Sequence, residues 1–226
     1  MNLNTAQLRA LQHALGYEFA DPSLLSLALS HRSVGSNNNE RLEFLGDSLV
    51  NHVVAEALYK QYPTAPEGEM SRRRAHLVKG ETLAAIAREK AVGDCLALGQ
   101  GERKSGGHRR KSILADALEA LAAAILLDSD FETAKAVVYE WFRERLTDEA
   151  SFAANKDAKT SLQEWLQARG LALPEYHLVA TRGEDHQKVF VVECHVPSKG
   201  LKETASGSSR RRAEQASAQQ VLGRLR

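Results

Sequence analysis

The sequence predicts an all-α domain over residues 1–150, a short polar linker at 151–156, and a small α+β domain of order α-β-β-β-α over 157–226. Three observations carry this expectation. Apolar residues recur at three- and four-residue spacing through the first 150 positions, with no alternating run. A polar stretch, TDEASFAANK, follows at 147–156. Beyond it the period changes to two between a pair of helical segments.

The elements can be justified in order. Leu8, Leu11 and Leu15 mark a first amphipathic helix, and Leu24, Leu25, Leu27 and Leu29 a second. A long helical run from Glu40 reaches Tyr62 and stops at Pro63, because proline lacks the amide the helix needs. Further helices are expected at about 70–91, 112–127 and 131–146. They are punctuated by Pro63/Pro66/Gly68, by Gly93 and by the Gly-rich stretch GQGERKSGG at 99–107. In the second part, AKTSLQEWLQAR at 158–169 reads as an amphipathic helix stopped by Gly170, the residue type that tolerates the left-handed C′ position. Strands follow at 176–182, 188–196 and 201–206. In the middle one Phe190, Val192, Cys194 and Val196 share a face. The closing helix starts at about Ser209, and Ala213, Ala216 and Ala218 would let it lie close to the sheet.

Composition narrows the class. Hydrophobic content of 43% and charged content of 26% suit a globular protein. Only two cysteines are present, Cys95 and Cys194, with no metal-binding spacing, which favours a reducing compartment. No secretory signal pattern opens the chain and no apolar run is long enough for a membrane span, so a cytoplasmic location without membrane attachment is expected. Net charge is +1, but unevenly spread: residues 1–150 sum to −3 and residues 151–226 to +4. The basic second part hints at a polyanion; a solvated basic surface would look the same.

The strongest chemical signal is acid within apolar helix. The segment ILADALEALAAAILL at 113–127 contains two polar side chains, Asp116 and Glu119, three residues apart on one face. A helix apolar nearly all round is a buried one. Two like charges about 4 Å apart repel by roughly 4 kcal/mol at an effective dielectric of about 20, before any cost of desolvation. Such a pair persists where a cation or a shared proton neutralises it. The run 40–58 repeats the theme. Glu40, Glu43 and Asp47 fall on one stripe of the helix, which continues as Val50, Val54 and Leu58. Four carboxylates on two helices would balance two Mg²⁺ ions, whose preference is for oxygen ligands. Solvated surface acids are the competing explanation, and spacing alone does not separate the two.

The segment ERLEFLGDS at 40–48 resembles the signature of the ribonuclease III family. The HRS at 31–33, PEGEMSRRRA at 66–75 and KSILADALEAL at 111–121 are similar to further blocks of that family, in the same order, and the last 70 residues resemble a double-stranded-RNA-binding domain. The compact two-domain form is similar to the bacterial members. The resemblance implies an endoribonuclease that hydrolyses double-stranded RNA with Mg²⁺-activated water, leaving 5′-phosphate and 3′-hydroxyl ends. It implies Mg²⁺, replaceable by Mn²⁺, as the metal, with no small-molecule cofactor. Glu43, Asp47, Asp116 and Glu119 would be metal ligands, with Asp47 and Glu119 catalytic. Glu40 and Glu67 match further acids of the cleavage site, although Glu67 sits in a Pro/Gly stretch where a solvated acid is the ordinary explanation. Phe44, exposed beside Glu40 on the helical wheel, matches an aromatic contact of a homodimer; an ordinary core residue is the competing explanation. Substrates of the implied kind are ribosomal RNA precursors, structured messenger RNAs and antisense duplexes. His108 and Ala122–Ala124 depart from the family pattern and touch none of the acids.

A double-stranded-RNA-binding domain reads duplex shape through 2′-hydroxyls and phosphates across about 16 bp. On this chain that role would fall to Thr160, Gln163 and Glu164 in its first helix, His186 in the GEDHQ turn, and Ser209, Arg210 and Arg211 at the start of the last helix. There basic side chains and backbone amides face phosphate together. Arg212 would face solvent. Arg72–Arg74 and Lys104/Arg109/Arg110 are further phosphate-tracking candidates. Two other readings stay open: a catalytically silent double-stranded-RNA-binding protein, and an all-α nucleotide pyrophosphohydrolase, which leaves the second domain unexplained.

Overall fold

The helix at Lys111–Asp128 (α7) is buried on nearly every side, and the first unit of the molecule is assembled around it. The computed structural model describes residues 5–148, 158–183 and 188–225; the expected linker at 151–156 and His186 lie outside the described residues. The chain divides into two compact units, Met1–Glu149 and Ala150–Arg226.

In the first unit α1 spans Thr5–Leu15, α2 Pro22–Ala28, α3 Glu40–Gln61, α4 Glu67–Leu77, α5 Gly80–Glu89, α6 Gln100–Lys104 and α8 Phe131–Leu146. Local chemistry sets several ends. The Asp21 carboxylate accepts from the Ser23 amide and Pro22 opens α2. Asp130 caps α8 by accepting from the Thr133 amide. The helix expected over 70–91 is two helices. Val78 closes α4, Lys79 is extended, and α5 restarts at Gly80, turning Leu83, Ala84, Ile86 and Ala87 into the core against α7. The helix also begins earlier than expected, so Glu67 stands in the first turn of α4 rather than in a loop. Pro66 supplies its extended N-cap, and an acid is favourable at that end of the helix dipole. The Gly-rich stretch holds α6 and a 3₁₀ turn at Gly107–Arg109.

α7 packs against α2, α3, α5 and α8. Its crossing with α3 is the tightest: a Cβ placed on Gly46 would lie 1.8 Å from the Glu119 carbonyl oxygen. Only glycine allows the two backbones to meet there. Buried Asn39, 2% exposed, ties the start of α3 to the end of α2. Its amide donates to the Ser30 carbonyl at 2.8 Å and its side chain to the Ala28 carbonyl at 3.2 Å.

The second unit comprises α9 (Ala158–Gln167), β1 (Glu175–Arg182), β2 (Val189–Val196), β3 (Leu201–Gly207) and α10 (Arg210–Leu225). The strands form an antiparallel sheet in the order β1-β2-β3. Its inner face presents Cys194 and Val196 to Leu162, Leu166, Ala218, Val221 and Leu222 of the two helices, and Val192 on the same face is buried as well. Gly207 lets β3 run directly under α10, since a Cβ there would lie 2.5 Å from the Ala213 amide nitrogen. Among the described residues no helix is long and apolar enough to cross a membrane.

The glycine contact between α3 and α7 is testable. Gly46→Ala is expected to destabilise the first unit by about 1–3 kcal/mol or more, as overpacking does, measured by chemical denaturation. Gly68→Ala in α4, where the nearest atom is 3.5 Å away in the Arg72 side chain, is expected to be tolerated.

Candidate functional site

The crossing of α3 and α7 brings their acids together. The carboxylates of Glu43 on α3 and of Asp116 and Glu119 on α7 offer oxygens that all lie within 4.8 Å of one another. All three side chains are half-buried. Burial is the main reason that Glu119 is pushed up to about 8, with the charges of Asp47, Glu43 and Asp116 adding to it. Burial also raises Glu43, helped by Asp116, Glu40 and Asp47 and opposed by Arg32. Burial raises Asp116 as well, against His31 and Arg32. Asp47 is exposed and its carboxylate accepts from the Asn51 side chain at 2.9 Å. Its charge nonetheless bears on both Glu43 and Glu119, so it stands on the same side of the α3–α7 seam.

Two basic groups overlook these acids. The turn carrying His31 and Arg32 is fixed by Asn39 and by residues 97–99. The His31 amide donates to the Ala97 carbonyl at 3.1 Å, and the Gly99 amide donates to Ser33 Oγ at 2.9 Å. The Ser33 hydroxyl and amide both meet His31 Nδ1, at 2.8 and 3.2 Å, and fix the plane of the imidazole. Arg32 reaches Glu40 at 3.6 Å. His31, Arg32 and Asn51 were not among the expected site residues. The HRS block marks the first two, but no spacing rule ties them to acids on other helices.

Three half-buried carboxylates with raised proton affinity form an oxygen donor set carrying surplus negative charge. That set fits a hard divalent cation such as Mg²⁺, which takes few carboxylates and completes its shell with other oxygens. Glu67 stands apart from the trio. It accepts from Ser71 Oγ at 2.6 Å and lines a separate cavity of about 550 Å³ with His52, Tyr59, Met70 and Arg74. Phe44 is 79% exposed and so is no core residue.

In the second unit, Thr160, Gln163 and Glu164 lie on α9, with Gln163 exposed and the other two half-buried. The start of α9 is tied to the first turns of α10. Lys159 Nζ lies 2.6 Å from Glu214, which Arg210 Nε also contacts at 3.0 Å. Ser209 Oγ accepts from the Arg212 amide at 3.3 Å and acts as the cap of α10. Arg210 is therefore drawn back along its own helix, although it is exposed like Arg211 and Arg212; Arg212 donates to Ser208 at 2.9 Å. Of the other basic candidates, Arg73 is held by Glu69 at 2.8 Å and Arg110 by Glu102 at 2.6 Å.

Residues 21–146, more than half of the chain, match the family described as ribonuclease-III-like. The chain belongs to the ribonuclease III family. Residues 158–225 match the double-stranded RNA binding motif. The crystal structure of the nuclease domain of ribonuclease III from Campylobacter jejuni is 40% identical, with a TM-score of 0.60 over 62% of this chain and 96% of that one. A second structure of that nuclease domain is described by structural flexibility in the region involved in dimer formation. It is 41% identical, with a TM-score of 0.59 over 61% of this chain and 96% of that one. A ribonuclease III nuclease domain joined to a double-stranded RNA binding motif makes the chain an endoribonuclease of double-stranded RNA.

Within this ribonuclease III fold, the raised pKa of Glu119 has a thermodynamic consequence. A carboxyl whose pKa rises on folding leaves stability untouched below about 4.5, where it is protonated in both states, and costs progressively more as pH rises through about 8. In EDTA, Glu119→Gln is therefore expected to raise the melting temperature at pH 8 and to leave it nearly unchanged at pH 4. Equal melting temperatures at pH 8 would contradict this.

Proposed function

We propose that this chain is a divalent-cation-dependent endoribonuclease that hydrolyses the phosphodiester bonds of duplex RNA as a homodimer, leaving 5′-phosphate and 3′-hydroxyl ends. The observation that carries the reading is the convergence of Glu43, Asp116 and Glu119 from two helices within 4.8 Å. These three would hold the cation, Mg²⁺ or Mn²⁺ in its place, with Asp47 joining once its side chain leaves Asn51. When bound, the cation neutralises phosphate charge and lowers the pKa of water, the two things hydrolysis of a phosphodiester needs.

The chain's own residues supply the rest. Glu119 at the seam and Asp47 beside it would orient the attacking water through their carboxylate oxygens, with a bound cation's charge keeping Glu119 ionised. Arg32 and His31, held over the acids by the 30–39 turn, are in position to meet a phosphate oxygen. Arg32 also keeps Glu40 in the same polar surface. Glu67, which is not part of the trio and lines another cavity, would act on RNA or at the junction of two subunits. The exposed ring of Phe44, three residues from Asp47, supports a dimer contact beside the cleavage centre.

The second domain would hold the duplex by shape. Thr160, Gln163 and Glu164 offer short polar groups to 2′-hydroxyls, with His186 reaching a neighbouring groove, while Ser209, Arg210 and Arg211 gather phosphates at the start of α10. Arg210 would exchange Glu214 for phosphate. Ribosomal RNA precursors and structured messenger RNAs present duplex of the required length. Two buried free cysteines, Cys95 and Cys194, support a cytoplasmic setting. A silent RNA-binding protein would have no need of a half-buried acid trio.

The two domains' roles should separate. Glu119→Ala is expected to abolish cleavage of long duplex RNA in Mg²⁺ while leaving RNA affinity unchanged. Arg210→Ala/Arg211→Ala is expected to weaken binding and to reduce the slope of log affinity against log salt by about one to two. Equal loss of binding in the Glu119 variant would count against the assignment. Phe44→Ala is expected to cost about 2–4 kcal/mol of dimer affinity, in line with a buried aromatic anchor, read by sedimentation. An unchanged dimer would exclude Phe44 from the interface.

A further inference from the structure

The open face of the sheet, opposite α9 and α10, carries a second cluster of ligating side chains. Antiparallel pairing sets Glu175 directly across from His195, and His177 follows Glu175 by two residues, on the same face of β1. The bulge in β1 falls between Leu178 and Ala180, beyond this pair, so the phase is intact. On β2 the alternate residues Cys194 and Val196 are buried against the helices, which turns His195 outward.

The three groups converge on one point. His177 Nε2 lies 3.3 Å and His195 Nδ1 3.7 Å from the same carboxylate oxygen, Glu175 Oε2, and one ligand atom from each residue falls within 4.8 Å of the others. A single surface ion pair would need one histidine; here two imidazoles from different strands meet at one oxygen. Metal–ligand bonds of about 2.0–2.2 Å in a tetrahedral site separate neighbouring ligand atoms by roughly 3.3 Å. Two of the three edges are near that length without any rearrangement. Lys202, cross-strand from His195, is engaged by Glu193 at 3.3 Å, which gives its ammonium a partner of its own beside the cluster.

We propose that Glu175, His177 and His195 form a binding site for a divalent transition-metal ion of the zinc class. Two imidazole nitrogens and one carboxylate oxygen are borderline donors, suited to Zn²⁺ and its neighbours rather than to Mg²⁺. The site clamps β1 to β2 and leaves a coordination position open to solvent. It lies on the sheet face away from the helices assigned to RNA, so its occupancy is independent of duplex binding.

The test uses the full chain in excess Mg²⁺, titrated with Zn²⁺ against a chromophoric chelator. The wild type is compared with His177→Gln/His195→Gln and with His177→Gln alone. The His177 side chain is 57% exposed, so its replacement leaves the core untouched. Zinc held by the carboxylate trio is common to all three proteins and cancels. The wild type is expected to bind one more Zn²⁺ per chain than the double variant, His177→Gln to weaken that site at least tenfold, and RNA affinity to be the same in all three. Equal zinc stoichiometry and affinity in wild type and double variant would overturn the proposal.

Discussion

The contact between the backbones of α3 and α7 at Gly46 and Glu119 is the constraint on which the nuclease domain depends. Helices normally pack 8–10 Å apart, spaced by their side chains. Here one helix contributes no side chain, and the carbonyl of Glu119 occupies the place where a Cβ would be. Glu43 lies three residues before Gly46, and Asp47 directly follows it. The closest point of the crossing therefore lies beside the acids, and the packing that completes the core also forces like charges together.

That compression explains the electrostatics. Ala117, Leu118 and Ala120 beside the acids are fully buried, so Asp116 and Glu119 give up much of their solvation on a helix that cannot turn them outward. The outcome is a proton affinity far above the usual carboxylate range for Glu119 and a smaller rise for its two partners. His31 and Arg32 relieve part of the charge from the rim. A core that tolerates such repulsion in isolation is one arranged around a charge it receives from outside.

Much of this was legible in the residues, and the exceptions have identifiable causes. Asp116 and Glu119 stand out because nothing else polar interrupts their helix, and Glu43 because its stripe continues as Val50, Val54 and Leu58. The three strands followed from period-two alternation of residues such as Val192, Cys194 and Val196. The break between α4 and α5 escaped periodicity because α4 is polar over most of its surface, with Leu77 its one buried residue. The orientation of Asp47 toward Asn51 is a choice of side-chain rotamer, invisible to a helical wheel. The approach of Arg32 to the acids depends on tertiary ties through Asn39 and Gly99. The meeting of His177 with His195 depends on strand register, which leaves no fixed spacing in the chain.

On the proposed reading the two domains divide the work along lines their chemistry suggests: an acidic seam for the reaction and a small basic module that meets duplex RNA by shape. The central claim is that the seam is completed by a divalent cation between α3 and α7. Anomalous diffraction from a crystal of the protein grown with Mn²⁺ tests it most directly. The expected result is a peak among the carboxylates of Glu43, Asp116 and Glu119. No anomalous density there at saturating Mn²⁺, in crystals that show the trio intact, would contradict the account.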